Sequence, residues 1–151
     1  MNFPHNLSEK MDRRFEDGTL RNMIDRHELV DFSSNDYLGF SINKSIIQSV
    51  ATHSAGLKHA NGSTGSRLLT GNFELHEKVE AELAHFFGCE EALLFNSGYD
   101  ANIGLLSSVP QRGDKIFYDE LCHASIRDGI RLSNASSYGF RHNSLDDLEK
   151  K

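Results

Sequence analysis

Cysteine is scarce in this sequence, and so are long apolar runs. Its 151 residues include only two cysteines, Cys89 and Cys122, whose spacing fits neither a metal site nor a disulfide scaffold. No apolar signal segment follows Met1. We therefore expect a cytoplasmic protein that holds no metal ion and does not associate with a membrane.

Concentrated positive charge is absent as well. The chain carries 16 lysine and arginine residues against 22 aspartate and glutamate residues, which gives a net charge of −6. The basic residues are scattered rather than gathered into a stripe, so the electrostatic footprint of a nucleic-acid-binding protein is missing. With 38% apolar residues the chain can bury a sizeable core. The composition therefore indicates an acidic globular protein that handles small molecules.

A short apolar run that ends in a small-residue turn is the feature around which the chain is organised. Residues 92–95 read as a strand covered on both faces, Asn96-Ser97-Gly98 as a turn, and Tyr99 as the start of a periodic helix. The N-terminus of a helix offers unpaired N–H groups and the positive end of the helix dipole. This junction therefore suits an anion such as a phosphate, although the same residues also fit a plain helix cap.

Strands alternate with helices along most of the chain. The predicted strands cover 29–32, 92–95, 115–119 and 135–140, and the predicted helices cover 42–57, 73–87 and stretches that begin near 99, 126 and 144. Residues 1–26 read as a polar arm of one or two short helices broken at Gly18, which must lie on the rest of the protein or on a second subunit. The alternation predicts right-handed crossovers and a three-layer α/β fold with a mainly parallel sheet.

Two further features bear on where a ligand would bind along the predicted sheet. His123 follows the strand 115–119, so it shares the carboxyl edge of the sheet with Gly98. A lone histidine there is either a helix-capping or core residue, or a ring that lies against a flat heteroaromatic ligand. Residues 60–67 form a glycine-rich loop that matches no nucleotide-binding motif, although its Arg67 is of a type that can clamp an anion.

Four blocks of the sequence resemble the α-oxoamine synthases, pyridoxal-phosphate enzymes of the aspartate aminotransferase fold, fold type I. The blocks, in order, are Phe32 to Gly39, Gly62 to Asn72, Phe95 to Asn102, and His123 to Gly129. The resemblance extends over nearly the whole chain from about Arg13 onward. It implies an N-terminal arm with a small-domain segment over 1–57 and the first part of a large cofactor-binding domain over 58–151.

The resemblance also implies an activity. Enzymes of this family condense an amino acid with an acyl thioester and release carbon dioxide, with pyridoxal phosphate as the electron sink. The second block is most similar to that of the family members that act in biotin synthesis. These enzymes use L-alanine and a pimeloyl thioester carried by coenzyme A or by a carrier protein. Sister branches use glycine or serine with other thioesters. The family further implies a homodimer.

Cofactor-binding residues follow from the same resemblance. Ser97, Gly98 and Tyr99 match the turn that holds the cofactor phosphate, in agreement with the argument from the helix N-terminus. His123 matches the residue that stacks on the pyridine ring and helps to place the amino acid. Ser66 matches a loop that approaches the cofactor across the dimer interface.

Substrate-binding residues are implied in the N-terminal part. Asn35 matches a position near the substrate carboxylate and the reactive carbon, which makes it a catalytic candidate beside His123. Arg21 matches an arginine that contacts the acyl substrate, whereas by itself it reads as a solvated surface charge.

The Schiff-base lysine of the family is missing from the matched region. None of the seven lysines present matches a family lysine motif. We therefore expect these 151 residues to be inactive alone as the N-terminal part of a longer enzyme. Two alternatives are a non-catalytic partner subunit of the same fold and an unrelated α/β domain that binds a phosphorylated ligand at Gly98.

Overall fold

The computed structural model describes residues 4–23, 29–58 and 61–151. The chain divides into two compact units, Met1–Ala60 and Asn61–Lys151. The last residues of the predicted arm, 24–26, lie outside the described residues, as does residue 60 of the glycine-rich loop. The assignment of 1–57 and 58–151 to different domains of the family fold stays a prediction.

The described residues of the first unit form two α-helices. Helix α1 covers His5–Glu16 and ends just before Gly18, whose φ of 63° lies in the left-handed region that glycine adopts without strain. Helix α2 covers Lys44–Ser54, shorter than the predicted 42–57, and follows a 3₁₀ turn at Phe40–Ile42. The break at Gly18 and the existence of α2 are confirmed.

The strand predicted over 29–32 is wrong. The Asp31 carboxylate instead accepts the backbone N–H of Ser33 at 2.8 Å and that of Ser34 at 3.0 Å. A short acidic side chain that bonds nearby amides offers the backbone an alternative to a sheet ladder, and it favours a turn.

The second unit is built from alternating helices and strands. Helices α3, α4, α5 and α6 and strands β1 and β2 cover, in chain order, Glu74–Phe87 (α3), Gly98–Ser108 (α4), Lys115–Asp119 (β1), Ala124–Leu132 (α5), Ser136–Phe140 (β2) and Leu145–Glu149 (α6). Strand β1 pairs with β2 in parallel, from Lys115 opposite Ser136 to Asp119 opposite Phe140. Helix α5 is the crossover between them, as the alternating pattern predicted.

Helices α4 and α5 pack closely because of one glycine. A Cβ atom built on Gly129 would lie 2.9 Å from the carbonyl oxygen of Asn102 and 2.9 Å from the Cβ of Leu106. Such distances leave no room for a side chain, so the two helices approach at the level of their backbones. This contact brings the carboxyl end of β1 beside α4.

The strand predicted over 92–95 is also wrong. This segment carries no ladder in the described part of the chain, and the N–H of Leu94 donates to the Glu80 carboxylate at 2.8 Å. A strand exists only where a second backbone supplies the partners. In the described structure a side chain on α3 takes that role.

Candidate cofactor site

The N-terminus of α4 has two unused amide donors. Ser97 caps the helix, because its Oγ accepts the N–H of Asp100 at 3.0 Å. The N–H groups of Gly98 and Tyr99 donate to no atom among the described residues. A Cβ placed on Gly98 would meet nothing within 4 Å, so a ligand can approach the backbone there. The predicted cap is confirmed, and two donors remain for an anion.

The carboxyl end of β1 is tied down by Asp119. Its carboxylate accepts the N–H of Leu121 at 2.8 Å, the N–H of Asn143 at 3.0 Å and Nδ1 of His142 at 2.9 Å. These bonds, the one from Asn143 foremost, hold the pKa of Asp119 below its usual range. The turn that leads from β1 to His123 is therefore anchored at its start.

His123 is exposed and is the N-cap of α5. Its Nδ1 accepts the backbone N–H of Ser125 at 3.2 Å and lies 2.7 Å from the Oγ of Ser125. Ser125 is completely buried, and its Oγ accepts Nδ2 of Asn102 on α4 at 2.9 Å. His123 thus caps a helix, which was one of the interpretations left open by the sequence. Its ring is also fixed to the helix that carries Gly98.

Tyr99 makes a second link between α4 and α5. Its hydroxyl donates to Oδ2 of Asp128 at 2.6 Å. This hydrogen bond, together with partial burial and the charge of the carboxylate, raises the pKa of Tyr99. The amides at the start of α4 and the ring at the start of α5 are therefore carried by one cross-linked pair of helices.

Ser66 lies in a loop closed on itself. Its carbonyl oxygen accepts the N–H groups of Leu69 and Gly71, both at 2.9 Å, and its side chain is exposed. The recorded bonds of Ser66 stay within this loop, so the described contacts do not bring it to Gly98 or His123.

Arg67 of the same loop is not poised for an anionic ligand, contrary to one interpretation of the glycine-rich sequence. Its guanidinium forms two hydrogen bonds to Glu80, at 2.5 and 2.8 Å. This pairing, with the N–H of Leu94, lowers the pKa of Glu80 from 4.5 to about 2. The arginine ties its loop to α3.

Asn35 and Arg21 belong to the first unit. Asn35 is exposed between two turns centred on carboxylates, that of Asp31 and that of Asp36, which accepts the N–H of Phe40 at 2.8 Å. Arg21 is exposed in a segment without helix or strand. Both side chains are thus available to a ligand within their own unit.

No helix in the described ranges combines the length and the apolar character that a membrane crossing needs. The same residues contain no cluster of three or more histidine, cysteine, aspartate or glutamate side chains able to bind a metal ion.

Comparison with known proteins decides the family. The model of the aminotransferase class I and II family matches residues 27–151. The chain belongs to this family. The 8-amino-7-oxononanoate synthase 2 of Bacillus subtilis strain 168 is 43% identical over an alignment of 157 positions, which covers 96% of this chain and 40% of that protein. The resemblance to the α-oxoamine synthases is confirmed.

Solved structures of the family confirm the fold class. A serine palmitoyltransferase from S. paucimobilis, determined with pyridoxal phosphate and myriocin bound, is 29% identical with a TM-score of 0.77 over 97% of this chain and 41% of its own. An 8-amino-7-oxononanoate synthase from Francisella tularensis is 30% identical with a TM-score of 0.67 over 83% of this chain and 34% of its own. The chain thus spans between about a third and two fifths of the length of these three relatives.

Pyridoxal phosphate is the cofactor of this family, as the resemblance implied. The residues present fit such a group. A phosphate needs several donors in a positive potential, which the amides of Gly98 and Tyr99 at the start of α4 provide. A pyridine ring needs a flat partner, and the exposed imidazole of His123 is one.

Three residues that hold the candidate site residues in place were not predicted from the sequence. Asn102 and Ser125 hold His123, and Asp128 holds Tyr99. All three lie inside the matching blocks, and Asn102 stands one helical turn after Gly98. That spacing was the available signal for Asn102, but nothing local indicates its partner 23 residues away.

Proposed function

We propose that this chain is the cofactor-binding part of a pyridoxal-phosphate-dependent acyltransferase that makes 8-amino-7-oxononanoate for biotin synthesis. Its substrates are L-alanine and a pimeloyl thioester of coenzyme A or of a carrier protein, and carbon dioxide is released. The observation that carries the proposal is the 43% identity to the Bacillus subtilis synthase over 96% of this chain. The unused amides of α4 support it independently.

Phosphate binding falls to the start of α4. The N–H groups of Gly98 and Tyr99 donate to the phosphate, and the Ser97 hydroxyl, already accepting from Asp100, is placed to donate its own proton. The absence of a side chain at Gly98 lets the oxygens reach the backbone. Asp128 holds the Tyr99 side chain toward α5, away from the amide that binds.

Roles toward the amino-acid substrate fall to His123 and Asn35. The bound cofactor supplies an electron sink that stabilises negative charge on the α-carbon of the amino acid. His123 covers one face of the cofactor ring and orients the amino acid, and Asn35 donates to the substrate carboxylate. Arg21 pairs with the anionic part of the acyl thioester.

Assembly and location complete the proposal. The protein works as a homodimer in the cytoplasm, and the loop of Ser66 reaches the cofactor of the partner subunit. Exposed apolar side chains in both units, such as Phe15 at 74% and Phe86 at 79% exposure, support additional buried contacts. Light scattering of the full-length protein measures the dimer directly.

The test uses the full-length protein with pyridoxal phosphate. L-Alanine, glycine and L-serine are titrated while the visible absorbance of the cofactor is followed, and product is then measured by mass spectrometry with pimeloyl-CoA. A spectral change and turnover with L-alanine are expected. A full-length protein that stays colourless with added cofactor would refute the enzyme and favour a non-catalytic partner subunit.

A serine-using acyltransferase is the second candidate. The higher TM-score to serine palmitoyltransferase, 0.77 against 0.67, favours it. The same titration separates the two, because palmitoyl-CoA and L-serine replace pimeloyl-CoA and L-alanine as the productive pair.

The 151 residues alone are proposed to be inactive. Lys78 is paired with Glu74 at 2.8 Å, and the ammonium group of Lys115 lies 5.7 Å from the ring centroid of Tyr138. Neither is placed beside Gly98 or His123 by a described contact, and no lysine of the chain matches the family motif.

A further inference from the structure

We infer that Asn102 and Ser125 are positioning residues that keep the proton of His123 on Nε2. His123 would then offer a ligand a hydrogen-bond donor and would not act as a proton acceptor. The ligand part of this inference rests on the proposed function, whereas the position of the proton does not.

The inference follows from counting protons along one chain of contacts. A backbone N–H can only donate, so Nδ1 of His123, 3.2 Å from the N–H of Ser125, must be an acceptor without a proton. The hydroxyl of Ser125 also lies 2.7 Å from Nδ1, so it must donate its single proton there. Its remaining role is to accept, and Asn102 supplies the amide N–H at 2.9 Å.

Burial of Ser125 restricts its hydroxyl group to this arrangement of hydrogen bonds. Ser125 has no exposed surface, so water cannot replace either of its partners. Every buried side-chain nitrogen and oxygen in the described part of the chain has a partner, and reversing one bond in this set would leave one unpaired. Asn102 therefore supports the direction that the Ser125 N–H sets along the relay from Asn102 through Ser125 to His123, because its amide N–H fills the acceptor on the Ser125 hydroxyl.

The consequence for the site concerns the other ring nitrogen. With Nδ1 engaged inside the protein, the polar atom that exposed His123 leaves for a ligand is Nε2, and it carries a proton. A neutral imidazole in this form donates to a carboxylate or carbonyl oxygen. It has no free lone pair in the ring plane, so removal of a substrate proton must fall to another group.

The test measures where the proton sits. Long-range proton–nitrogen NMR correlations are recorded at pH 8 on full-length, nitrogen-15-labelled protein without cofactor, and the His123 signals among the eight histidines are assigned with the His123→Gln variant. We expect an unprotonated signature at Nδ1 and an N–H signature at Nε2. A proton on Nδ1 in the unmodified protein would overturn the inference.

Two variants test the direction of the relay. In Asn102→Asp the carboxylate can only accept, so the Ser125 hydroxyl turns toward it and stops donating to Nδ1. The fraction of His123 with a proton on Nδ1 should therefore rise, although the Ser125 N–H still favours the unprotonated nitrogen. In Asn102→Ala the hydroxyl is free to turn either way, so an intermediate fraction is expected, and alanine keeps α4 helical. Asn134→Asp, an exposed position, is the matched control for the added charge and should leave His123 unchanged.

The outcomes separate the relay from the proposed activity. If every Asn102 variant that folds, Asn102→Ala included, shows the same His123 NMR signature as the unmodified protein, Asn102 does not position the ring. If the protein binds no cofactor but the signatures change as expected, the relay stands and the proposed function fails.

Discussion

The contact between α4 and α5 predicts that Gly129→Ala destabilises the protein. The added methyl group would lie 2.9 Å from the Asn102 carbonyl oxygen, 2.9 Å from Leu106 Cβ and 3.2 Å from Ile103 Cα. All three atoms belong to the α4 backbone or are bonded directly to it, so no side-chain rotation can make room. The helices must move apart.

The size of the effect is set by two opposing terms. Overpacking of a tight contact costs about 1–3 kcal/mol. Alanine in place of glycine inside a helix gains about 1 kcal/mol. The net loss is therefore up to about 2 kcal/mol. Movement of α4 at Asn102 should also lengthen its hydrogen bond to Ser125.

The matched control is Gly98→Ala, because a methyl group at that position meets nothing within 4 Å. Like Gly129→Ala, this variant should gain stability from the higher helix propensity of alanine, but its methyl group overpacks no contact. Urea unfolding followed by circular dichroism should therefore place Gly129→Ala about 1–3 kcal/mol below Gly98→Ala in free energy of unfolding. Equal stabilities of the two variants would refute the packing argument.

Three further predictions concern charge and the cofactor. Gly98→Ala should weaken pyridoxal phosphate binding by about tenfold or more in an absorbance titration. The added methyl group keeps the phosphate oxygens from the backbone N–H, and one charge-assisted hydrogen bond is worth about 1.5–3 kcal/mol. Unchanged affinity would contradict phosphate contact at this backbone. The pKa of Glu80 is lowered from 4.5 to about 2, so its contribution to stability is present above 4.5 and is lost as the pH falls toward 2. The urea midpoint of Glu80→Gln should accordingly fall less steeply with decreasing pH over that interval than the midpoint of the unmodified protein. Equal slopes for the two proteins would show that Glu80 does not cause this loss of stability. Borohydride treatment of the 151-residue chain with pyridoxal phosphate should yield no single preferred lysine adduct by mass spectrometry, whereas a unique modified lysine would show that the chain supplies its own.

Elements with local signals were predicted well from the sequence. The pattern over 73–87 with Gly88 behind it gave α3, and the structure has Glu74–Phe87 followed by Gly88 at a φ of 66°. Strand β1 was predicted with its observed bounds, and β2 was predicted one residue too long. Apolar periodicity and turn residues act over a few positions, so a single sequence reports them.

The strand wrongly predicted over 29–32 reflects a local turn at Asp31, whereas two other errors fall where a partner distant in sequence decides the outcome. Residues 92–95 have the composition of a buried strand, but the N–H of Leu94 bonds the Glu80 side chain, 14 positions away. Arg67 has the surroundings of an anion clamp, but the same carboxylate occupies it. In the site, Ser97 and Gly98 follow from the local junction, whereas the link from Asn102 to Ser125 spans 23 positions and depends on how two helices meet.

Directional polar bonds, more than apolar burial, specify the position of His123. Among the described residues the buried apolar side chains are Ala84 and Ile130, whereas Ser125 is a polar side chain with no exposed surface at all. Apolar packing tolerates changes of shape, but a buried hydroxyl with two partners fixes both distance and direction. Substitutions of exposed apolar residues should therefore leave the ring in place, whereas the loss of one amide group at Asn102 should change how the ring is held.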